Sequence, residues 1–236
     1  MTTGATGTVS FYNNVSNLIS TQPLSGANPN TATFTVSNLA AAPSSNSITA
    51  TYNGDINYAT STSNAINQVV QNTTVTSLSL SLGTNPSTAS QSLTFKATVT
   101  PSAAGGTVTF FDGATQIGIG TLIGGTATLT TSALTAGAHS LKAIYGGDTN
   151  DAGSTSTILI QNVTAVTTTT LTAAPNPSVA GQSVLLTATV SAGATGTVSF
   201  YDNVSTLIST QPLSGASPNT AAFTVSNLPA ARSSTA

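Results

Sequence analysis

The chain is 236 residues long with 3 Lys+Arg, 5 Asp+Glu, 1 His, no Cys and no Trp, and only 3% of it is charged. Soluble domains usually carry ~25% charged residues; here every acid is Asp, so no Glu is available as a general acid or base. Three dispersed cations (Lys96, Lys142, Arg232) cannot neutralise a run of phosphates, which excludes nucleic acid as a partner, and the absence of Cys excludes a disulfide framework.

Ser and Thr take the place of charge, and Thr beside Val and Ile favours strands. The hydrophobic share of 39% lies in short alternating runs, unlike the low hydrophobicity and high charge of disordered chains. No apolar run approaches the ~20 residues of a membrane helix, and no basic segment followed by an apolar one succeeds Met1. Neither a secretion signal nor membrane insertion is expected in this segment.

Self-comparison sets the organisation. GATGTVSFYNNVSNLISTQPLSGANPNTATFTVSNL, from Gly4, recurs as GATGTVSFYDNVSTLISTQPLSGASPNTAAFTVSNL from Gly193. A more divergent copy lies between them: GGTVTFFDG (Gly105 to Gly113) matches both, and Asn85-Pro86-Ser87 matches Asn176-Pro177-Ser178. The copies are roughly 90 to 100 residues apart, the size of one immunoglobulin-like sandwich of ~100 residues. Three units follow: residues 1–71, 72–162 and 163–236.

The first unit begins in strand C and is expected to hold strands C to G without A and B, with Ile48, Ala50 and Tyr52 on the inner face of strand F. The middle unit is complete and reads at period 2 throughout. Leu78, Leu80 and Leu82 mark strand A, and after the Asn85-Pro86 turn Leu93, Phe95, Ala97 and Val99 share one face of strand B, leaving Lys96 outside. Val108 and Phe110 mark strand C, and Asp112-Gly113 suits a tight hairpin turn because Gly tolerates positive φ. Ile117 and Ile119 follow, then Ala127 and Leu129 on strand E, Leu141, Ala143 and Tyr145 on strand F, and Ile158 and Ile160 on strand G. In the third unit Val184, Leu186, Ala188 and Val190 replace the strand B set; this unit is expected to stop after strand E, without F and G. The fold class is all-β: tandem immunoglobulin-like seven-stranded β-sandwiches, one complete and two partial.

TTTTLTAAPNPSVAGQSVLLTATV (Thr167 to Val190), GTVTFFDG, GGTATLTTSALTAGAHSLKAIYGGD (Gly124 to Asp148) and TATYNGDINY (Thr49 to Tyr58) resemble the bacterial Ig-like repeat domains found in tandem in large secreted and surface proteins. The resemblance covers nearly the whole chain. It implies a sandwich serving as spacer, stalk or fibre module, extracellular or at the cell surface, without catalytic activity or cofactor. The partners then expected are other copies of the chain or adjacent repeats.

Candidate chemistry is sparse. His139, the sole imidazole, opens strand F with no carboxylate beside it in sequence, and Asn46 takes the same slot in the first unit; a structural hydrogen bond fits it better than catalysis or metal binding. Asp148, Asn150 and Asp151 share the turn after Tyr145 and could offer oxygens to calcium, although Asx residues suit turns anyway and the matching turn of the first unit carries only Asp55 and Asn57. A Lys to Asn isopeptide crosslink would have to start from Lys96 or Lys142, both expected to point outward, with no Glu to assist. Glycosylation sequons fall at Asn14, Asn72, Asn162 and Asn203, on hairpins and domain junctions that should be exposed, which makes a glycan a further candidate partner. The leading expectation is a non-enzymatic structural element of an extracellular bacterial fibre, filament or stalk, with strand completion between neighbouring copies at the partial units. The alternative is an adhesin module holding a carbohydrate or calcium in its inter-strand loops.

Overall fold

The computed structural model describes residues 4–202 and 205–226, all of them strand, turn or extended segment. No helix among them is long and apolar enough to cross a membrane. The chain divides into two compact units, Met1–Thr164 and Ala165–Ala236.

The first unit opens with a partial sandwich. β1 (Thr8–Asn13) and β2 (Asn17–Pro23) form a hairpin, followed by β3 (Asn46–Tyr52), the short β4 (Ser61–Thr62) and β5 (Ile66–Gln68). β1 lies between β2 and β3, and both β4 and β5 pair with β3, so strands C, C′, F and G make one five-stranded sheet. Its small core joins Ala5, Val9 and Tyr52. The expected strand E is missing: residues 31–40 form no strand.

The complete sandwich runs through β6 (Val75–Leu82), β7 (Ser87–Thr88), β8 (Leu93–Thr100), β9 (Thr107–Asp112), β10 (Thr115–Thr121), β11 (Thr126–Thr131), β12 (Gly137–Tyr145), β13 (Ser154–Thr155) and β14 (Leu159–Thr164). One sheet is ordered β11-β8-β6, corresponding to E-B-A; the other is ordered β10-β9-β12-β14-β7, with β13 on β12. Strand A is split. After the Asn85-Pro86 turn its last residues, β7, cross to the second sheet and pair parallel with β14. Asn85 mediates the switch: its Nδ2 donates to the Ile160 carbonyl and its Oδ1 accepts from the Asn162 amide. The inner faces follow the alternation in sequence, and Leu93, Phe95, Ala97, Val99, Val108 and Phe110 are all at most 1% exposed. Each large side chain fully buried in this way contributes ~1.5 to 3 kcal/mol.

Four residues expected to face inward are exposed. On strand G, Ile158 and Ile160 are 63% and 47% exposed; the inner face belongs to Leu159, Gln161 and Val163. Gln161 is wholly buried, its Nε2 donating to the Thr84 carbonyl at 2.9 Å and to Ser87 Oγ at 3.2 Å while its Oε1 accepts from no donor among the described residues, so a polar amide anchored through its N–H groups, invisible to hydrophobic patterning, sets the parity. Leu82 and Ile119 are also exposed, each just beyond an irregularity, between Leu80 and Leu82 and between Gln116 and Gly118. A bulge reverses the alternation that a period-2 reading assumes.

The second unit holds β15 (Thr169–Ala174), β16 (Val184–Val190), β17 (Thr197–Asp202), β18 (Thr206–Pro212) and β19 (Asn219–Val225). These make a three-stranded sheet, β15-β16-β19, and a two-stranded sheet, β17-β18. Strand E therefore forms here, against strand B. Ala188, Phe200 and Ala221 centre its core.

Candidate functional site

Four of the five Asp side chains and the sole His lie at two recurring places, the turn after strand F and the adjoining ends of strands C and F. In the complete domain Asp148 follows Tyr145 in that turn. Its Oδ2 accepts from the Gly105 amide at 2.9 Å, and its Oδ1 accepts from the amides of Asn150 and Asp151 at 2.7 and 2.8 Å. The Gly105 amide, and then that of Asn150, hold its carboxyl below the usual carboxylate range, because hydrogen bonds to the charged form favour it. Asp55 repeats the arrangement in the first domain, accepting from the amide of Thr6 and its Oγ1 and from the amides of Asn57 and Tyr58. Its carboxyl is held low as well, chiefly by the Thr6 amide.

These carboxylates fasten the turn after strand F to the segment that leads into strand C. Asp148, Asn150 and Asp151 do share one turn, but Asp148 faces N–H donors on both oxygens. Asp151 is buried, and its Oδ1 accepts from Nδ2 of Asn72 at 3.2 Å. No group of three or more His, Cys, Asp or Glu is arranged to hold a metal among the described residues.

Beneath the turn, burial, followed by the Asp148 charge, pushes the Tyr145 phenol up to about 12. Burial likewise raises Tyr52, whose hydroxyl donates to the Thr6 carbonyl at 2.8 Å.

At the other end of strand F, His139 meets a carboxylate that sequence proximity does not show. Its Nδ1 lies 2.6 Å from Oδ2 of Asp112, and its Nε2 lies 2.8 Å from the Thr135 carbonyl. The hydrogen bond to Asp112 raises the imidazole above its ordinary value, and the Thr135 carbonyl adds to the shift. Asp112 also accepts from the Ser140 amide. The missed signal was the repeat alignment: Asp112 and His139 stand where Asn13 and Asn46 stand in the first domain, and Nδ2 of Asn13 donates to Oδ1 of Asn46 at 3.0 Å.

Lys96 projects from β8 into solvent, as expected, and Lys142 lies over the Phe111 ring, 5.6 Å from its centroid. Among the sequons, Asn14 and Asn162 are exposed, although Oδ1 of Asn14 accepts from the Ser47 amide. Asn72 corrects the expectation of an open junction. It is half-buried, and its Nδ2 donates to the carbonyls of Ala42 and Asn150 as well as to Asp151. Its backbone bonds to Asn150 and Ala152 add a parallel bridge. The amide that a glycan would occupy instead joins the first domain to the complete one. Asn203 lies outside the described residues.

One feature of the first domain is a groove rather than a polar cluster. A cavity of about 550 Å³ opens beside the strandless segment, lined by Val36, Leu39, Ile48, Ile66 and Val70. In the complete domain the counterparts of Leu39 and Ile48, namely Leu134 and Leu141, are buried in one cluster with Leu93 and Phe95 of strand B.

Two antiparallel sheets packed through alternating aliphatics, with strand G beside F and a split strand A, define an immunoglobulin-like β-sandwich. The profile of the bacterial Ig-like domain (group 3) family matches residues 1–71 and 80–164, and the chain belongs to that family. Among solved structures, the fibronectin(III)-like modules of Clostridium thermocellum CbhA are similar at 22% identity, over 64% of this chain and 79% of that one, with a TM-score of 0.30. No curated protein sequence matches the chain.

Proposed function

We propose that the chain is a non-enzymatic structural segment of an extracellular bacterial fibre, filament or surface stalk, in which tandem Ig-like domains convert chain length into reach. The observation that carries this reading is where the ionisable groups are used. Asp55, Asp112, Asp148, Asp151 and His139 are all engaged in hydrogen bonds that fasten turns and strand ends. Bacterial Ig-like modules commonly occur in extracellular or surface proteins. The clamp at Asn72 supports load transfer, because it spans the junction with both backbone and side-chain bonds. A surface of Ser and Thr with few charges lets rods lie side by side without strong repulsion.

Single-molecule force spectroscopy of the chain tests the reading. The expected trace contains a force peak whose contour-length gain corresponds to unfolding of the complete domain, unchanged by calcium or glycans. Unfolding without a resolvable force peak overturns the mechanical role. A melting temperature that rises on adding calcium or an oligosaccharide favours the adhesin reading instead.

A further inference from the structure

The first and last strands of the complete domain run in the same direction and are tied to each other at both ends. At one end the Asn72 amide donates to the Asn150 carbonyl and the Asn72 carbonyl accepts from the Ala152 amide. The Thr74 hydroxyl donates to the Ala152 carbonyl at 2.7 Å, and the Thr76 hydroxyl lies 2.7 Å from Ser154 Oγ. At the other end Asn85 bonds the Ile160 carbonyl and the Asn162 amide, and Gln161 Nε2 bonds the Thr84 carbonyl and Ser87 Oγ. The Thr164 hydroxyl donates to the Ser87 carbonyl, and the Ala89 amide donates to the Thr164 carbonyl. In every one of these side-chain bonds the partners stand between 74 and 78 residues apart in sequence, the near-constant separation of two parallel segments in register.

Side chains make most of this seam, and the buried polar groups of the domain gather on it: Thr76, Ser87, Asp151 and Gln161 are all buried. Burying a polar group costs free energy unless it is bonded. Gln161 is kept inside although its Oε1 accepts from no donor among the described residues. An apolar side chain at that position would serve the core better. What the polar set adds is directional bonding between the segment where the chain enters the domain and the segment where it leaves.

Resting on the reading of the chain as a mechanical module, we infer that this seam is a shear lock that sets the force at which the complete domain opens, with Asn85 and Gln161 as its principal side chains. Tension along the chain draws Asn72 and Thr164 in opposite directions. Because the two segments are parallel, that pull slides one along the other and strains the seam bonds together. An antiparallel hairpin pulled at its open end, such as β9-β10 at Thr107 and Thr121, loses its bonds one after another instead. The apolar contact between the two sheets is non-directional and resists sliding less than bonds of fixed geometry.

Constant-force unfolding of the full chain tests the lock. With the chain held at its two ends, Asn85→Ala should raise the rate at which the complete domain opens by roughly tenfold. Thr164→Val keeps the side-chain shape and should act in the same direction, more weakly. Ser79→Ala, whose hydroxyl bonds the Lys96 carbonyl within its own sheet, should leave the rate unchanged. Thr107→Cys and Thr121→Cys supply a second pair of attachment points, unique because the sequence has no Cys of its own. Pulled there, the domain should respond to Asn85→Ala by less than about twofold. Equal acceleration in both geometries means that Asn85 only stabilises the fold, and it overturns the inference. A wild-type force peak that Asn85→Ala leaves in place overturns the lock alone, whereas a wild-type chain without a force peak overturns the module reading together with it.

Discussion

Oδ2 of Asp112 lies 2.6 Å from Nδ1 of His139, and the same two positions in the preceding repeat hold Asn13 and Asn46 at 3.0 Å. A titratable pair and a neutral pair thus perform one task, tying the end of strand C to the start of strand F. Because Asp112 raises the His139 imidazole, the pair's contribution to stability is complete below the ordinary His value of ~6.5 and is lost as pH rises through the folded value. The complete domain should melt at lower temperature as pH climbs through that window. His139→Asn should flatten the dependence, and calorimetry between neutral and alkaline pH checks both.

The turn carboxylates act at the opposite extreme of pH. Asp148 is held low by the Gly105, Asn150 and Asp151 amides, so its stabilisation is present above the ordinary Asp value of ~3.9 and disappears as pH falls through the folded value. Asp148→Asn should lower the melting temperature at neutral pH and narrow the loss on acidification, since an amide oxygen accepts weaker bonds than a carboxylate. Added calcium should leave the wild-type melting temperature where it is, and a calcium titration followed by calorimetry measures it.

Much of this architecture was legible in residues with a single role. Leu93, Phe95, Ala97 and Val99 alternate with polar neighbours, and each is buried on β8 as the pattern requires. The reading failed where another interaction outranked hydrophobicity. Gln161 is buried with its Nε2 bonded to Thr84 and Ser87, and Ile158 and Ile160 lie at the surface instead. Residues 31–36 carry the sequence of a strand but form none, because a strand needs a neighbour and strand identity is a property of the pair. The Asp112–His139 contact spans 27 positions, so only comparison with Asn13 and Asn46 could have revealed it. At Asn72 the sequon pattern was correct as a pattern, but it says nothing of what the amide already binds.

Sequon accessibility gives a third expectation. Asn162 is exposed on β14, and Asn14 is exposed at the β1–β2 turn, whereas the Nδ2 of Asn72 is committed to Ala42, Asn150 and Asp151. Expressed in a glycosylating host, the folded protein should carry sugar at Asn14 or Asn162 in preference to Asn72. Glycopeptide mass spectrometry reads the occupancies. Dominant modification at Asn72 would mean that the junction opens before or after folding.

The core of the complete domain supplies the last expectation. Phe95 is 1% exposed at the centre of β8, within the cluster of Val108, Phe110, Leu141 and Tyr145. Truncation of a buried Phe to Ala typically costs ~3 to 5 kcal/mol through lost transfer energy and the cavity left behind, a large share of the ~5 to 15 kcal/mol that stabilises a domain. Phe95→Ala should therefore depress the main melting transition by well over ~10 °C. Stability in tandem repeats is approximately a sum of local terms. The core around Ala188, Phe200 and Ala221 belongs to a separate compact unit, so hydrogen exchange there should change little while protection in β8 and β12 collapses. Equal loss in both units would show that the chain unfolds as one cooperative block.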